Sequence, residues 1–243
     1  MRGLCRGKYR ARRADSPQDV RAAQSLRHRA FRGGEGIDSD AFDDICTHML
    51  VEEIDTGRLV CCFRLLPLKD GGQIGRSYAA QYYELSALEA YDGPMVEMGR
   101  FCIAEDVTDP DVLRIAWGAL TAFVDDEGVQ MLFGCSSFAG TSGEAYEDAF
   151  AMLKEKHLAP SRWLPRVKAP HVFRFAERLR QRPDRKRAML GMPPLLKTYL
   201  AMGGWVSDHA VVDNDLDTLH VFTGLEIDAI PAARKRLLRA VAG

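Results

Sequence analysis

The stretch Val96-Glu97-Met98-Gly99-Arg100-Phe101-Cys102-Ile103 sets a carboxylate and a guanidinium three positions apart in an otherwise apolar run. An apolar setting disfavours the charged form of a carboxylate, so Glu97 on such a strand is suited to take up a proton, directly or through a water. The plain alternative is an ion pair with Arg100. Strict alternation puts Glu97 and Arg100 on opposite faces of a sheet. Gly99 between them suggests a bulge that brings them together and frees backbone N–H groups toward a developing oxyanion. A site of that kind needs no nucleophilic side chain. Cys5, Cys46, Cys61, Cys62, Cys102 and Cys135 form no C-x-x-C pair and mostly lie in apolar runs, so reduced buried thiols are expected, with neither a disulfide framework nor a bound metal.

A second set of chemistry-bearing residues lies upstream. Residues 33–57 hold eight acids and no Lys or Arg, among them Asp38, Asp40 and Asp43. They follow residues 1–32, where ten bases face Asp15 and Asp19, and residues 162–187 swing back with ten bases against Glu177 and Asp184. The formal net charge of −1 hides this segregation. Such blocks are solvated faces, or they mark one cationic and one anionic partner. Arg27 and Arg64, each in an apolar context, can bind a carboxylate or neutralise the acidic loop. The loop aspartates also fit a solvated, helix-capping role. His48, just before an apolar strand, reads as a structural histidine or as part of a proton relay.

The elements that must position these residues are legible from pattern. Residues 8–14 alternate as a strand, Ser16-Pro17 supplies the N-cap and first residue of a helix to about residue 31, and Gly33, Gly34 and Gly36 open the acidic loop. Two apolar strands flank the hairpin signal Asp55-Thr56-Gly57-Arg58. Residues 68–93 read as loop with a short amphipathic piece. The Glu97 strand follows, and then a helix capped by Asp109-Pro110, apolar on almost every side and ending at Gly128. A strand at 129–138, a helix at 142–158, an arginine-rich amphipathic helix at 172–182, strands within 195–208 and 218–227, and a basic tail complete the chain. A mixed sheet with helices on both faces is the economical architecture.

With 243 residues, 47% hydrophobic and 28% charged, the chain can bury one large core, and a single extended α/β domain is expected. No segment approaches the roughly 20 apolar residues that cross a bilayer. The first dozen residues are basic but lack the apolar stretch of a secretory signal, so a cytoplasmic protein is expected.

The element order resembles the GCN5-related N-acetyltransferase (GNAT) fold, in which an acyl thioester lies between two central strands, here 94–103 and 129–138. Motifs through nearly the whole chain narrow the resemblance: RHRAF (27–31) with DSDAFDDICTHMLV (38–51), CCFRLLP (61–67), EMGRFCI (97–103), LFGCSSFAGT (132–141), HLAP (157–160) and MPPLLKTYLAMGGWVSDHAVVDNDLDT (192–218). Together they resemble the L-ornithine Nα-acyltransferases of bacterial ornithine-lipid synthesis, which take a 3-hydroxyacyl chain from acyl carrier protein. That family is in turn similar to acyl-homoserine-lactone synthases, through the pattern seen here at Arg27, Phe31, Asp40, Asp43, Glu97 and Arg100.

The resemblance implies one GNAT-like domain over 1–243, with the basic segment at about 160–190 as a helical insertion. Glu97 and Arg100 would be catalytic. Arg27, Phe31, Asp38, Asp40, Asp43, His48, Arg64, Gly99, Phe101 and Ser136 would bind substrate, the acidic loop taking the cationic end of L-ornithine. The partners implied are acyl carrier protein and L-ornithine. Acetyltransferases of this fold cradle the coenzyme A diphosphate on a Gly-rich turn. The matching stretch Ala104–Asp111 has no glycine and four acids, which would repel a diphosphate. The expected donor is therefore the phosphopantetheine of a carrier protein, with no separate cofactor, docked on the arginines between Arg162 and Arg187. The segment Val172–Arg182 could also meet an anionic membrane peripherally, at the inner membrane.

Other readings compete. An N-acylamino-acid synthase using glutamine shares the mechanism. Homoserine-lactone synthesis is disfavoured because no Trp precedes Trp117 and Gly99 stands where those enzymes carry Ser or Thr. An O-acyltransferase would need His-x4-Asp, which His209 and Asp213 miss by one position. Nucleic-acid binding is disfavoured, since the basic segments are matched by an acidic block and no nucleic-acid motif is present.

Overall fold

The computed structural model describes residues 3–242. Met1, Arg2 and Gly243, the outer ends of the basic N-terminal stretch and of the basic tail, lie outside the described residues.

In chain order the elements are β1 (Leu4–Arg6), β2 (Tyr9–Arg13), α1 (Pro17–Arg32), β3 (Thr47–Glu53), β4 (Leu59–Leu68), β5 (Tyr83–Glu84), β6 (Met95–Ile103), α2 (Pro110–Asp126), β7 (Met131–Ala139), α3 (Glu147–Lys156), β8 (Arg166–Val167), β9 (Val172–Phe173), α4 (Phe175–Arg178), α5 (Arg185–Gly191), α6 (Pro194–Ala201), β10 (Trp205–Val206), β11 (Ala210–Asp213), β12 (Thr218–Glu226) and α7 (Ala232–Ala242). The fold is mixed α/β, with a large, mostly antiparallel sheet flanked by helices. Among the described ladders, the pairing of β6 with β7 is the parallel one. Among the described residues no helix is long and apolar enough to cross a membrane.

The chain forms two compact units: one comprises the residues through Pro67, Met98–Val129 and Pro231 onward, the other Leu68–Glu97 and Gln130–Ile230. In the first, β1, β2, β3 and β4 follow one another, and β4 is bonded to β6. Helix α1 starts as its sequence dictates: Ser16 Oγ accepts from Asp19 N at 3.2 Å, Pro17 fills the first turn, and Gly33, at φ 72°, ends it. Its buried face, Ala23 and Leu26, packs against Leu50 of β3, Cys62 of β4 and Cys102 of β6. Helix α2 buries Val112, Ile115, Trp117, Leu120 and Phe123. All six cysteines are free; Cys61, Cys62 and Cys102 are buried, and Cys62 and Cys102 bring their sulfurs to 3.5 Å.

In the second unit β7 pairs with β12 over nine consecutive residue pairs, β12 with β11, and β11 with β9. One face of these strands, with Phe138, Leu219 and Val221, packs against Phe150 and Leu153 of α3, Phe175 of α4 and Leu196 of α6.

Three elements depart from expectation. Residues 172–182 do not form an amphipathic helix. Val172 and Phe173 instead pair with Val211 and Ala210 of β11, and the helix that follows is one turn. Two β-prone residues next to an open strand edge gain backbone hydrogen bonds that outweigh the arginine-studded helical period. The basic segment at about 160–190 is thus short strands, a turn and α5 rather than a helical insertion. Residues 194–201 are helical, not a strand: Pro194 presets the first turn, Leu196 and Tyr199 fall on one buried face, and Gly203, at φ 95°, stops the run before β10. The basic tail forms helix α7.

Candidate active site

The acidic loop of the first unit folds back on α1 and the strands. Arg27, on the buried face of α1 and 1% exposed, donates from Nε to Asp38 Oδ2 at 2.8 Å, from Nη1 to Asp43 Oδ1 at 2.7 Å and from Nη2 to Asp43 Oδ2 at 3.0 Å. Its Nη2 also bonds the Asp38 carbonyl. Arg64 of β4 grips Asp40 through Nη1 and Nη2, at 2.6 and 2.8 Å, and reaches Asp43 Oδ1 at 2.8 Å, with its guanidinium 5.4 Å from the Phe42 ring centroid. Arg100 of β6 donates from Nε to Asp38 at 3.1 Å and from Nη2 to Asp40 at 3.2 Å. Asp40 Oδ1 also accepts from Phe42 N at 2.9 Å, which turns the loop at that point. His48 Nε2 lies 3.0 Å from the Asp43 carbonyl oxygen, and Gln24 donates to Asp43 at 3.0 Å.

The three carboxylates are therefore answered by Arg27, Arg64 and Arg100, with Arg32 Nε 3.9 Å from Asp38, and the loop is no bare anionic socket. Burial by itself pushes the Asp43 carboxyl up, but hydrogen bonds from Arg27 and Gln24, with Arg64 beside them, hold it well below the usual carboxylate range. Asp40 is lowered in the same way: burial opposes, and the Arg64 hydrogen bond wins. Desolvation also pulls the Arg27 guanidinium down, and the bonds to Asp43 and Asp38 more than reverse it. Asp40 and Asp43 stay anionic and Arg27 cationic, and the cluster fixes the loop to the strands through charge-assisted bonds.

The unusual backbone conformation in β6 falls at Arg100, one residue after Gly99. Arg100 carries a φ of 53°, a left-handed conformation that costs a non-glycine residue roughly 1–2 kcal/mol. A Cβ on Gly99 would meet Arg64 Nε at 3.8 Å, an ordinary contact. Phe101 is half-buried and stacks on Phe63, ring centroids 5.5 Å apart. Phe31 packs at the margin of the Leu26, Cys62 and Cys102 cluster.

Glu97 belongs to the second unit. The parallel ladder there joins Met95 to Met131, Val96 to Leu132 and Glu97 to Phe133. Glu97 is 5% exposed, and both its oxygens accept backbone N–H groups: Oε2 from Tyr78 at 2.7 Å and Oε1 from Ala79 at 2.8 Å. These come from a short turn whose Ser77 hydroxyl is tied to the Ile74 carbonyl and accepts from Ala80 N. A carboxylate offers about four lone-pair sites, and these two donors use two while fixing its plane. Paired residues share a face and successive residues along a strand reverse it. Phe133 and the half-buried Cys135 therefore lie on Glu97's side of β7, and Ser136 on the other, where it accepts from the Thr223 hydroxyl at 2.9 Å.

Arg27, Asp38, Asp40, Asp43, His48, Arg64 and Arg100 are thus brought together in one unit, with Gly99 and Phe101 adjoining. Glu97 and Ser136 lie in the other, facing opposite ways. The sequence reading missed the Tyr78 and Ala79 N–H donors, because backbone groups leave no residue-type signal, and missed Gln24 and Phe42 as supports of the acidic loop. At the start of α2, the usual anion seat is filled by the chain itself: Asp109 Oδ1 accepts from Asp111 N at 3.0 Å, and Asp106 pairs with Arg58 at 2.5 and 2.7 Å. Among the described residues no group of three or more His, Cys, Asp or Glu side chains converges as a metal site.

Residues 24–118 match the family described as an acetyltransferase (GNAT) domain, and with the relatives that follow this makes the chain an acyltransferase. It is 32% identical over 238 residues to the L-ornithine N(alpha)-acyltransferase of Rhodobacter capsulatus, covering 91% of each chain. It is 28% identical over 243 residues to that of Brucella abortus, covering 92% of this chain and 86% of the relative. The chain belongs to the L-ornithine N(alpha)-acyltransferase family. The solved structure of FeeM, an N-acyl amino acid synthase from uncultured soil microbes, shares its fold with a TM-score of 0.51 at 11% identity, covering 90% of both chains.

Proposed function

We propose that this enzyme transfers a 3-hydroxyacyl group from the phosphopantetheine of acyl carrier protein to the α-amino group of L-ornithine, giving a lyso-ornithine lipid. The observation that carries the chemistry is the buried Glu97 carboxylate held in one plane by the Tyr78 and Ala79 N–H groups. A free α-amino group has a pKa of about 8, so much of it is protonated at neutral pH and cannot attack a thioester. Glu97 takes that proton, directly or through a water. The amine nitrogen then bonds the thioester carbonyl carbon, and as the intermediate collapses with loss of the C–S bond the nitrogen gives up a second proton, which passes to the departing sulfur to leave the amide and a free thiol. No covalent acyl-enzyme and no bound cofactor enter this route.

The acceptor assignment is supported by the names of the relatives. Within the arginine–aspartate cluster, the Arg100 guanidinium suits the acceptor's carboxylate, and Asp40, with a quarter of its side chain exposed, suits the distal ammonium. Arg27, Arg64, Asp38, Asp43 and His48 hold that pair in place.

A carrier-borne donor is supported by the start of α2, where carboxylates occupy the position a coenzyme A diphosphate would need. The exposed arginines at 162, 166, 178, 180, 182 and 185 complement an acidic carrier protein. The same surface supports peripheral, salt-sensitive contact with an anionic membrane.

The test is to incubate the purified protein with 3-hydroxyacyl carrier protein and a panel of amino acids, and to identify products by mass. N-acyl-ornithine is the expected product. Consumption of glutamine alone would keep the acyl transfer and replace the acceptor.

A further inference from the structure

The turn that holds Glu97 has its own anchor within the second unit. Tyr83, five residues past Tyr78 and 1% exposed, donates its hydroxyl proton to the His220 carbonyl at 2.8 Å and meets His220 Nδ1 at 3.1 Å. With that single proton committed to the carbonyl, Nδ1 carries the hydrogen and donates to the phenol oxygen. Burial drives the His220 imidazole down to about 4, against the pull of Asp213, so the ring is neutral at physiological pH and its buried Nε2 has no partner. Burial pushes the Tyr83 phenol up, so it remains a donor.

The Tyr83 ring also meets His220 and Phe222 edge-on, with centroids 5.6 and 5.7 Å apart. Phe222 stacks on Phe133 at 5.6 Å, and Phe133 is the residue paired with Glu97. The contacts therefore close a ring: from Glu97 through Phe133 and Phe222 to Tyr83, and back through the turn to the two N–H groups on the carboxylate. Ala169 N to the Tyr82 carbonyl, at 3.0 Å, and Lys168 Nζ to the Ala80 carbonyl, at 2.6 Å, brace the turn from outside this ring.

We propose that Tyr83 is a positioning residue for acyl transfer: its hydroxyl, tied to His220, fixes the turn whose Tyr78 and Ala79 N–H groups orient the Glu97 carboxylate. The inference rests on the reading of Glu97 as the base. Tyr83→Phe keeps the ring packing and removes the hydroxyl. A neutral hydrogen bond contributes about 0.5–1.5 kcal/mol, and the external braces remain. The expected loss in kcat is therefore roughly threefold to tenfold, with KM for both substrates within about twofold.

Hydrogen exchange on the same variant reads the geometry directly. Amides of the segment around Tyr78 and Ala79 should exchange faster, while those of β7 and β12 keep their protection. Wild-type kcat and exchange would overturn the proposal. So would loss of protection spread over β12, which marks a merely structural role. Tyr146→Phe removes a hydroxyl that donates to the Ala139 carbonyl at 2.8 Å, away from the turn and from His220, and should leave kcat unchanged; an equal loss there would also overturn it. Glu97→Gln, run in parallel, separates the two ideas: undiminished turnover removes the base assignment, whereas the exchange result decides whether Tyr83 orders the turn.

Discussion

Arg27 and Asp43 meet as a closed fork, Nη1 to Oδ1 at 2.7 Å and Nη2 to Oδ2 at 3.0 Å, with both side chains almost fully buried. The same guanidinium spans to Asp38, so one arginine ties two points of the acidic loop to α1. Removing one partner of a buried pair costs about 3–5 kcal/mol, because the other charge stays buried without compensation. Arg27→Met should lose that much stability in urea unfolding. Arg27→Lys keeps the charge but cannot address both carboxylates, and should recover less than half of the loss. A lysine variant as stable as the parent would show that charge alone, not the fork, holds the loop.

The same cluster sets an acid limit on stability. Asp43 and Asp40 have folded pKa values below their unfolded ones, for the hydrogen-bonding reasons given above. Their contribution is complete above the unfolded carboxylate value of about 3.9 and is lost as pH falls below it toward the folded values. Unfolding free energy should therefore drop steeply between about pH 4 and pH 2. Asp43→Asn should start lower at neutral pH and show a shallower decline; an unchanged slope would remove Asp43 from the linkage.

Much of this was legible beforehand, and the failures have physical causes. The caps of α1 and α2 and the β3–β4 hairpin follow from local rules in which Ser16, Asp109 and Gly57 act on residues a few positions away. The Arg27, Arg64 and aspartate cluster was visible as charge within apolar context, and its internal pairing was one of two open readings, because residue types do not say whether an arginine faces a substrate or a loop. Ser136 lies on the face of β7 away from Glu97, and that placement follows from the pairing of β6 with β7, which residue types do not report. Val172–Phe173 and Leu195–Leu200 exchanged expected states because strand-edge pairing and a Pro-initiated turn overrode their apolar periods.

Donor choice follows from the start of α2. At equal thioester concentration, initial rates with 3-hydroxyacyl carrier protein should exceed those with the matching acyl coenzyme A by at least about tenfold. Comparable rates would mean that the carboxylates at Asp106, Asp109 and Asp111 do not exclude the nucleotide.

The exposed basic residues of the second unit should give weak electrostatic adsorption to anionic lipid. At 0.15 M ionic strength screening acts over about 8 Å, so cosedimentation with anionic vesicles should fall away as salt is raised toward 1 M. Binding that survives high salt would instead require insertion of apolar side chains.

The most direct measurement is the turnover of Glu97→Gln, an isostere that changes the carboxylate without changing its size. The account requires a fall of roughly 10²–10⁴-fold in kcat, the typical contribution of a positioned general base, with the KM for ornithine near its parent value and the thermal midpoint lowered by the one backbone N–H that the amide nitrogen cannot accept. A purified, folded Glu97→Gln enzyme that acylates ornithine at the parent rate would contradict it.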